Sequence, residues 1–166
     1  MKNALVAIDV QKYFAVEKAA DLPQKIVKHL ESSKYDFVLF TKFRNDPGSN
    51  FHKILHWEQC TGPPATDIHP ILVSYATPEN TFEKTTYSAF KSEAFTSFLK
   101  TREIQELDLC GINIDGCVLA TAFEAFDLGF NVKILEELSS VASFRDDYEQ
   151  FAKTIIARMF KRKIPK

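Results

Sequence analysis

The sequence is poor in several features that would place it in a specialised class of protein. It has three cysteines, one tryptophan and five glycines in 166 residues, and its formal net charge at pH 7 is −1. Three cysteines cannot all pair and their spacing matches no disulfide framework, so we expect reduced thiols. The near-zero net charge gives no electrostatic reason to expect a nucleic acid or a membrane as partner.

Long apolar runs are also missing. No stretch is long enough to cross a bilayer, and Met1–Val10 lacks the basic, apolar and small-residue regions of a secretory signal. We therefore expect a cytoplasmic protein. With 45% hydrophobic and 26% charged residues, the composition is that of an ordinary globular protein, and we expect residues 1–166 to form one domain.

The chain alternates short apolar runs with amphipathic segments. Consecutive apolar residues predict buried strands, over Ala4–Ile8, Phe37–Phe40, Glu106–Cys110 and Val132–Leu135. Apolar residues three and four apart predict helices, over Leu22–Leu30, Ser88–Lys100, Cys117–Leu128 and Tyr148–Phe160. This alternation predicts an α/β fold with a mostly parallel sheet.

One long segment, from Lys42 to Thr81, has no such pattern and is rich in proline and glycine. We predict that most of it is loop. A loop of that length in a compact domain is usually functional.

Two reactive residues fall where an α/β sheet places its sites, beyond the carboxyl ends of strands. Asp9 ends the first predicted strand, and Cys117 begins the helix that follows the third. A helix start lowers the pKa of a thiol, which favours the nucleophilic thiolate. Taken singly, Asp9 is equally well a turn or helix-capping carboxylate, and a cysteine in the place of Cys117 is more often a small core residue than a nucleophile. Cys110 is interpreted as core, and Cys60 receives no role.

Three segments, taken together, resemble the isochorismatase-like cysteine hydrolases, a group that includes nicotinamidases and other small amidases. They are Leu5–Gln11, Glu83–Phe90 and Cys110–Val118, the last followed by Thr121 and Ala122. The resemblance extends from about Ala4 to about Phe160. It implies a three-layer α/β/α, Rossmann-like domain with a six-stranded, mostly parallel sheet, and self-association into a homo-oligomer.

The resemblance also implies a catalytic triad of Asp9, Lys84 and Cys117. Cys117 would be the nucleophile, Asp9 would accept and return its proton, and Lys84, otherwise read as a surface lysine, would hold Asp9 and favour the thiolate. The backbone N–H groups of Asn113 and Cys117 would form the oxyanion hole. Family members have a cis peptide bond at the position of Ile112–Asn113.

The sequence departs from the family pattern at several positions. Nicotinamidases bind a metal through an Asp-x-His pair and a further histidine, whereas the region 41–52 has no Asp-x-His. His52 and His56 have a spacing that suits two ligands on one helical face, but no third ligand is in view. We expect no metal and no cofactor, and nicotinamide becomes a less favoured substrate. Ile114 replaces a usual Thr, and Gly116 an often larger residue.

Several aromatic residues near these motifs are interpreted as the wall of an apolar pocket, with core or interface packing as the alternative. The candidates for substrate contact are Gln11, Phe14, Phe43, Trp57 and Tyr87, with Phe51 beside them.

Other enzyme classes fit less well. A dinucleotide-binding turn needs glycines after the first strand, and none follows Asp9. An aspartyl phosphotransferase needs a second carboxylate where Gln11 stands. A thiol–disulfide oxidoreductase needs Cys-x-x-Cys. Three interpretations stay open: a metal-independent cysteine hydrolase that cleaves a small amide or related C–N bond through a thioester, a catalytically silent binding or assembly module, and a vinyl-ether hydrolase of the isochorismate type.

Overall fold

The structure, a computed structural model, describes residues 1–161; the last five residues of the expected domain, 162–166, lie outside the described residues. Strands in the described part are β1 Lys2–Ile8, β2 Phe37–Phe43, β3 Thr81–Lys84, β4 Ile104–Ile112 and β5 Asn131–Ser140. Its α-helices are α1 Leu22–Ser32, α2 Asn50–Lys53, α3 Glu93–Thr101, α4 Leu119–Asp127 and α5 Asp146–Met159.

All the strand pairs are parallel, in the order β3-β2-β1-β4-β5. The central strand β1 is fully buried from Ala4 to Ile8 because helices cover both faces of the sheet. Ala4, Val6 and Ile8 face a core shared with α3, α4 and α5. Leu5 and Ala7 face a second core with α1. The predicted three-layer α/β/α architecture is therefore confirmed.

The four strands and four helices predicted from the apolar patterns all exist, with ends that differ by a few residues. The number of strands differs, since the described residues form five rather than the six implied by the resemblance. After β5 the described chain continues into α5, so no sixth strand is added at that edge.

Strand β3 was not predicted. Thr81–Lys84 is a four-residue edge strand whose Phe82 and Lys84 are buried, whereas Glu83 is exposed. So short a segment with two charged residues lacks the apolar run that identifies a buried strand. The strand before Cys117 is accordingly the fourth in the chain and not the third.

Cys117 does not begin an α-helix, as the sequence suggested. Ile114–Val118 forms a π-helical turn, in which the Val118 N–H donates to the Asn113 carbonyl, and α4 begins at Leu119. Such one-turn π-helical segments are frequent at functional sites.

Two other segments also differ from the predictions. The predicted helix over 88–100 divides into a 3₁₀ turn, Ala89–Lys91, and α3, because the Ser88 side chain accepts the Phe90 N–H and starts a separate turn. Within the predicted loop, β2 extends to Phe43, and Ser49 caps the short helix α2.

Gly111 lets β4 approach β1 directly before the candidate site. Its φ is +126°, and a Cβ placed there would lie 2.1 Å from the Ile8 carbonyl oxygen. Only glycine fits so close a backbone approach with a positive φ. This contact fixes the two strand ends from which Asp9 and Cys117 emerge.

The described residues contain no helix long and apolar enough to span a membrane.

Candidate active site

The carboxyl ends of β1, β3 and β4 bring Asp9, Lys84 and Cys117 together. The Lys84 Nζ lies 2.7 Å from Asp9 Oδ2 and 3.4 Å from Cys117 Sγ. Asp9 and Lys84 are 75 positions apart in the sequence, and Lys84 and Cys117 are 33 positions apart. Because all the strands are parallel, residues that follow them meet at one edge of the sheet.

Asp9 is fixed in position by its backbone and by Thr41. Its φ is +52°, so the chain turns sharply where β1 ends. The Asp9 N–H donates to Thr41 Oγ1 at 3.1 Å, and that hydroxyl donates to Asp9 Oδ1 at 2.7 Å. One carboxylate oxygen is therefore held by Thr41 and the other by Lys84. The carboxylate faces Cys117 in a defined orientation.

Lys84 reaches Asp9 from β3 by passing the Phe43 ring on the intervening strand β2. Its Nζ lies 5.2 Å from the centre of that ring, and it also donates to the Thr86 carbonyl at 2.8 Å. Burial acts to lower the pKa of Lys84, but the negative charge of Asp9 and the neighbouring thiol outweigh it, and the pKa is raised. Lys84 is therefore a permanent cation in this site, with three acceptors for its three N–H donors.

The thiol of Cys117 does not have the lowered pKa that its place near a helix start suggested. Burial and the negative charge of Asp9 raise its pKa to about 12, and Lys84 offsets only part of this rise. A hydrogen bond to Asp9 raises the pKa further. The resting group is a protonated thiol beside a carboxylate, so it needs a base at the moment of attack.

The backbone around Cys117 is held by two polar side chains. Thr121 Oγ1 donates to the Cys117 carbonyl at 2.7 Å and accepts the Ala89 N–H. Asn113 Oδ1 accepts the Ala142 N–H at 2.6 Å. The Ile112–Asn113 peptide bond is cis, the geometry that the resemblance implied. Asn113 and Cys117 both line the cavity in front of the thiol.

That cavity has a volume of about 650 Å³ and is mostly apolar. The structure places four of the five proposed substrate contacts, together with Phe51, on its wall: Phe14, Phe43, Phe51, Trp57 and Tyr87. The Phe43 and Trp57 rings are stacked, with centres 5.7 Å apart, and the Phe51 and Tyr87 ring centres are 4.6 Å apart. The aromatic residues therefore form one continuous surface that faces Cys117.

Gln11, the fifth proposed contact, is placed elsewhere. Its side chain is buried, donates to the carbonyls of Phe43 and Thr66, and accepts the Phe43 N–H. These bonds occupy the amide and join the end of β2 to the long loop. Gln11 thus shapes the cavity through Phe43, and its assignment as a substrate contact is corrected.

The two histidines considered as metal ligands do not form a centre. His52 belongs to α2 and lies 3.8 Å from Glu58, whereas His56 is exposed beyond the end of that short helix. Among residues 1–161, no three His, Cys, Asp or Glu side chains are grouped as metal ligands would be. The residues present do not fit the metal of nicotinamidases.

The other two cysteines are buried away from the cavity wall. Cys110 is fully buried in β4, as interpreted from the sequence, and Cys60 lies in the long loop with its Sγ 3.8 Å from the Phe43 carbonyl. Burial raises the pKa of Cys60 to about 11. Neither thiol is placed to react.

Sequence reasoning did not identify four residues of this site: Thr41, Thr86, Asp115 and Phe123. The only feature of the sequence that marks Thr41 is its position directly after an apolar run. Threonine is common in strands, so this position does not indicate a functional role. The Thr86 contact uses a backbone carbonyl, which no residue type reveals. Asp115 and Phe123 reach the cavity wall through the π-helical turn and α4.

The chain was compared with known proteins. The family model described as the isochorismatase domain matches residues 3–163. Nicotinamidase/pyrazinamidase of Mycobacterium tuberculosis is 31% identical over 164 residues, covering 85% of this chain and 88% of that protein. An uncharacterized isochorismatase family protein of Bacillus subtilis, PncA, is 28% identical over 171 residues, with 92% of each covered.

Solved structures show the same fold. An isochorismatase-like hydrolase from Alkaliphilus metalliredigens superposes with a TM-score of 0.80 at 19% identity, covering 95% of this chain and 92% of that one. The match of the family model over almost the entire chain decides the assignment. The chain belongs to the isochorismatase family.

Proposed function

We propose that this protein is a cysteine hydrolase that cleaves a small carboxamide, or a related C–N bond, through a thioester on Cys117. The observation that carries the proposal is the position of one buried ammonium, Lys84 Nζ, which lies 2.7 Å from the Asp9 carboxylate and 3.4 Å from the Cys117 thiol, and both of these groups line one cavity. A relative 31% identical is named a nicotinamidase/pyrazinamidase, which supports an amidase.

The proposed reaction begins with the protonated thiol. Asp9 takes the Cys117 proton while Sγ attacks the amide carbonyl, and the carbonyl oxygen becomes an oxyanion. The N–H groups of Asn113 and Cys117 stabilise that oxyanion. The C–N bond then breaks, and ammonia or an amine leaves with the proton from Asp9.

Water completes the cycle. Asp9, again a carboxylate, removes a proton from a water molecule that attacks the thioester. The C–S bond then breaks to give a carboxylic acid, and Asp9 returns its proton to the sulfur, which restores the Cys117 thiol. Lys84 stays protonated throughout. Its role is to keep Asp9 in place and to offset the negative charge that develops on sulfur and oxygen.

We propose that the reaction needs no metal. The support is the chemistry of the cavity wall. Phe43, Phe51 and Trp57 line it, and no histidine among the described residues does. The nucleophile and its base are both protein groups, so each step above has a donor and an acceptor without a further ligand.

The two alternatives have less support. A binding module has no use for a buried carboxylate and ammonium held against a thiol, because two buried charges are expensive to retain. A vinyl-ether substrate of the isochorismate type carries carboxylates. These would meet Asp9 and Asp115 at a wall where the described residues offer no accessible cation.

The experiment is ammonia release from a panel of primary amides, together with hydroxylamine as a competing nucleophile. A thioester intermediate transfers its acyl group to hydroxylamine, so we expect a hydroxamate to form at the expense of the acid while ammonia is still released. Release of ammonia without any hydroxamate at saturating hydroxylamine contradicts the thioester. No ammonia from any amide contradicts the amidase.

A further inference from the structure

The segment 45–60 supplies three side chains to the cavity, Phe51, Leu55 and Trp57. It follows β2, and the four-residue helix α2 is its only regular element. A segment with so little secondary structure has a fixed path only where side chains bind its backbone groups. The positions of the Phe51 and Trp57 rings therefore depend on such bonds.

Asn45 binds both ends of this segment. Its side chain is completely buried, and Nδ2 donates to the carbonyls of Trp57 at 2.5 Å and Gln59 at 3.1 Å. Oδ1 accepts the Ser49 hydroxyl at 2.5 Å, and the Asn45 N–H donates to the Cys60 carbonyl at 2.9 Å. The side-chain amide thus uses its donors and its acceptor to join the start of the segment to its end.

The hydrogen bonds continue from Asn45 to both aromatic residues. Ser49, which donates to Asn45, accepts the His52 N–H at 3.1 Å and so caps the helix that carries Phe51. The Trp57 N–H donates to the Phe51 carbonyl at 3.0 Å, and the two ring centres lie 5.9 Å apart. Asn45 is therefore connected to Trp57 directly and to Phe51 through Ser49.

These bonds do not involve the proposed catalytic groups. Asn45 makes no hydrogen bond to Asp9, Lys84 or Cys117, and it does not line the cavity itself. A change at Asn45 should therefore alter the aromatic wall of the cavity and leave the thiol, its base and the ammonium in place.

We infer that Asn45 is a positioning residue, which sets the binding of the substrate by holding Trp57 and Phe51 in the wall of the cavity. The inference rests on the proposed function for the hydrolysis and on the hydrogen bonds of Asn45 for the wall. An amide suits this position because two carbonyl groups need donors and a hydroxyl needs an acceptor. A carboxylate of the same shape has no donor and would face both carbonyl oxygens, so this buried network would be lost.

Asn45→Asp changes the chemistry of this side chain with almost no change of shape, and Asn80 provides a matched control. Asn80 Nδ2 donates to the carbonyls of Val38 at 3.0 Å and Tyr75 at 2.9 Å, and its Oδ1 accepts the Thr77 N–H at 2.7 Å. The same kinds of bond are made here by residues that do not line the cavity. Asn80→Asp therefore removes a comparable network and leaves the wall intact.

Trp57 reports on the wall directly, since it is the only tryptophan of the chain. In Asn45→Asp its emission should shift to longer wavelength and its quenching by acrylamide should rise about twofold or more, because the indole would lose its packing against Phe43 and meet water. In Asn80→Asp both quantities should equal those of the unmodified protein. Unchanged emission and quenching in folded Asn45→Asp, or equal changes in the two variants, overturn the inference.

A milder variant decides the question if Asn45→Asp does not fold. Ser49→Ala removes the hydroxyl that Asn45 Oδ1 accepts and leaves the bonds from Nδ2 in place. It should change the emission and quenching of Trp57 in the same direction and to a smaller extent. Values equal to those of the unmodified protein overturn the inference.

Ammonia release separates this inference from the proposed function. With the amide that the unmodified protein hydrolyses fastest, Asn45→Asp should raise KM about tenfold or more and lower kcat less than about threefold. Asn80→Asp should change neither by more than about threefold. A lower kcat with an unchanged KM in Asn45→Asp overturns its role in binding and leaves the amidase standing. No ammonia from any amide with the unmodified protein contradicts the amidase, and the fluorescence comparison then decides the role of Asn45 in the wall.

Discussion

Lys84 and Asp9 form an ion pair with Nζ 2.7 Å from Oδ2, and both side chains are almost completely buried. The two groups therefore depend on each other, because a buried charge that loses its partner is left without solvation. The ion pair also holds Asp9, the base of the proposed reaction, in position. Stability and activity should both respond when either member is changed.

Lys84→Met should lower the free energy of unfolding by about 3–5 kcal/mol, the usual cost of breaking a buried ion pair from one side. Hydrolysis should be lost as well, because the Asp9 carboxylate would no longer be held beside the thiol. Urea unfolding measures the first effect and ammonia release the second. Asp9→Asn in the same molecule should restore part of the stability and none of the activity.

A matched lysine provides the control. Lys91 pairs with Glu124 on the surface, with its side chain 61% exposed, so Lys91→Met should cost less than about 1 kcal/mol. If Lys84→Met and Lys91→Met destabilise the protein equally, the buried pair does not have the importance assigned to it.

Asp9→Asn should separate the reactivity of the thiol from catalysis. Burial and Asp9 raise the pKa of Cys117, so removal of the negative charge lowers it and increases the thiolate fraction at neutral pH. We expect faster labelling of Cys117 by iodoacetamide at pH 8 together with a loss of hydrolysis. Slower labelling in Asp9→Asn would show that Asp9 activates the resting thiol rather than acting only during attack.

The pH dependence of labelling in the unmodified protein checks the same assignment. A pKa above the ordinary range means that the thiolate is scarce at neutral pH and increases as the pH rises. The rate should therefore rise about tenfold per pH unit from pH 7 to pH 10 without a plateau. A plateau reached near pH 7 contradicts the raised pKa and restores the helix-start prediction.

Metal removal should leave the activity unchanged. Dialysis against a chelator is expected to change kcat/KM by less than about twofold, because no step of the proposed reaction uses a metal. His52→Ala and His56→Ala should behave in the same way, since neither side chain lines the cavity. Loss of activity with the chelator, restored by added metal, would contradict the metal-independent mechanism.

Gly111→Ala should destabilise the protein by about 3 kcal/mol, because its Cβ would overlap the Ile8 carbonyl at a positive φ. Gly62→Ala is the control, since its Cβ meets no atom within 4 Å and its φ is not positive. That variant should stay within about 0.5 kcal/mol of the unmodified protein. Equal melting behaviour of the two variants would contradict the close approach of β4 to β1.

The strands, and the positions of Asp9 and Cys117 beyond strand ends, were accessible from the sequence for a physical reason, whereas Lys84 was proposed only through the family resemblance. Strands buried on both faces are continuous apolar runs, and residues just after them fall at the carboxyl edge of a parallel sheet. Strand β3 was not predicted because a short edge strand does not need a continuous apolar run. Its register beside β2 nevertheless decides where Lys84 points.

Properties that depend on several residues far apart in the chain could not be predicted from the sequence in the same way. The pKa of Cys117 is set by burial and by a carboxylate more than 100 positions away, and this outweighs the local effect of a helix start. Gln11 was predicted to contact the substrate, but its side-chain amide forms hydrogen bonds to β2 and to the long loop. Self-association stays a prediction.

The nucleophile is tested most directly by ammonia release in two cysteine variants, with the amide that the unmodified protein hydrolyses fastest. Cys117→Ala should lose activity by about a thousandfold or more, as expected when a nucleophile is removed. Cys110→Ala changes a thiol buried in β4 outside the site and should retain activity within about threefold. Equal activity in Cys117→Ala and the unmodified protein would contradict the central claim.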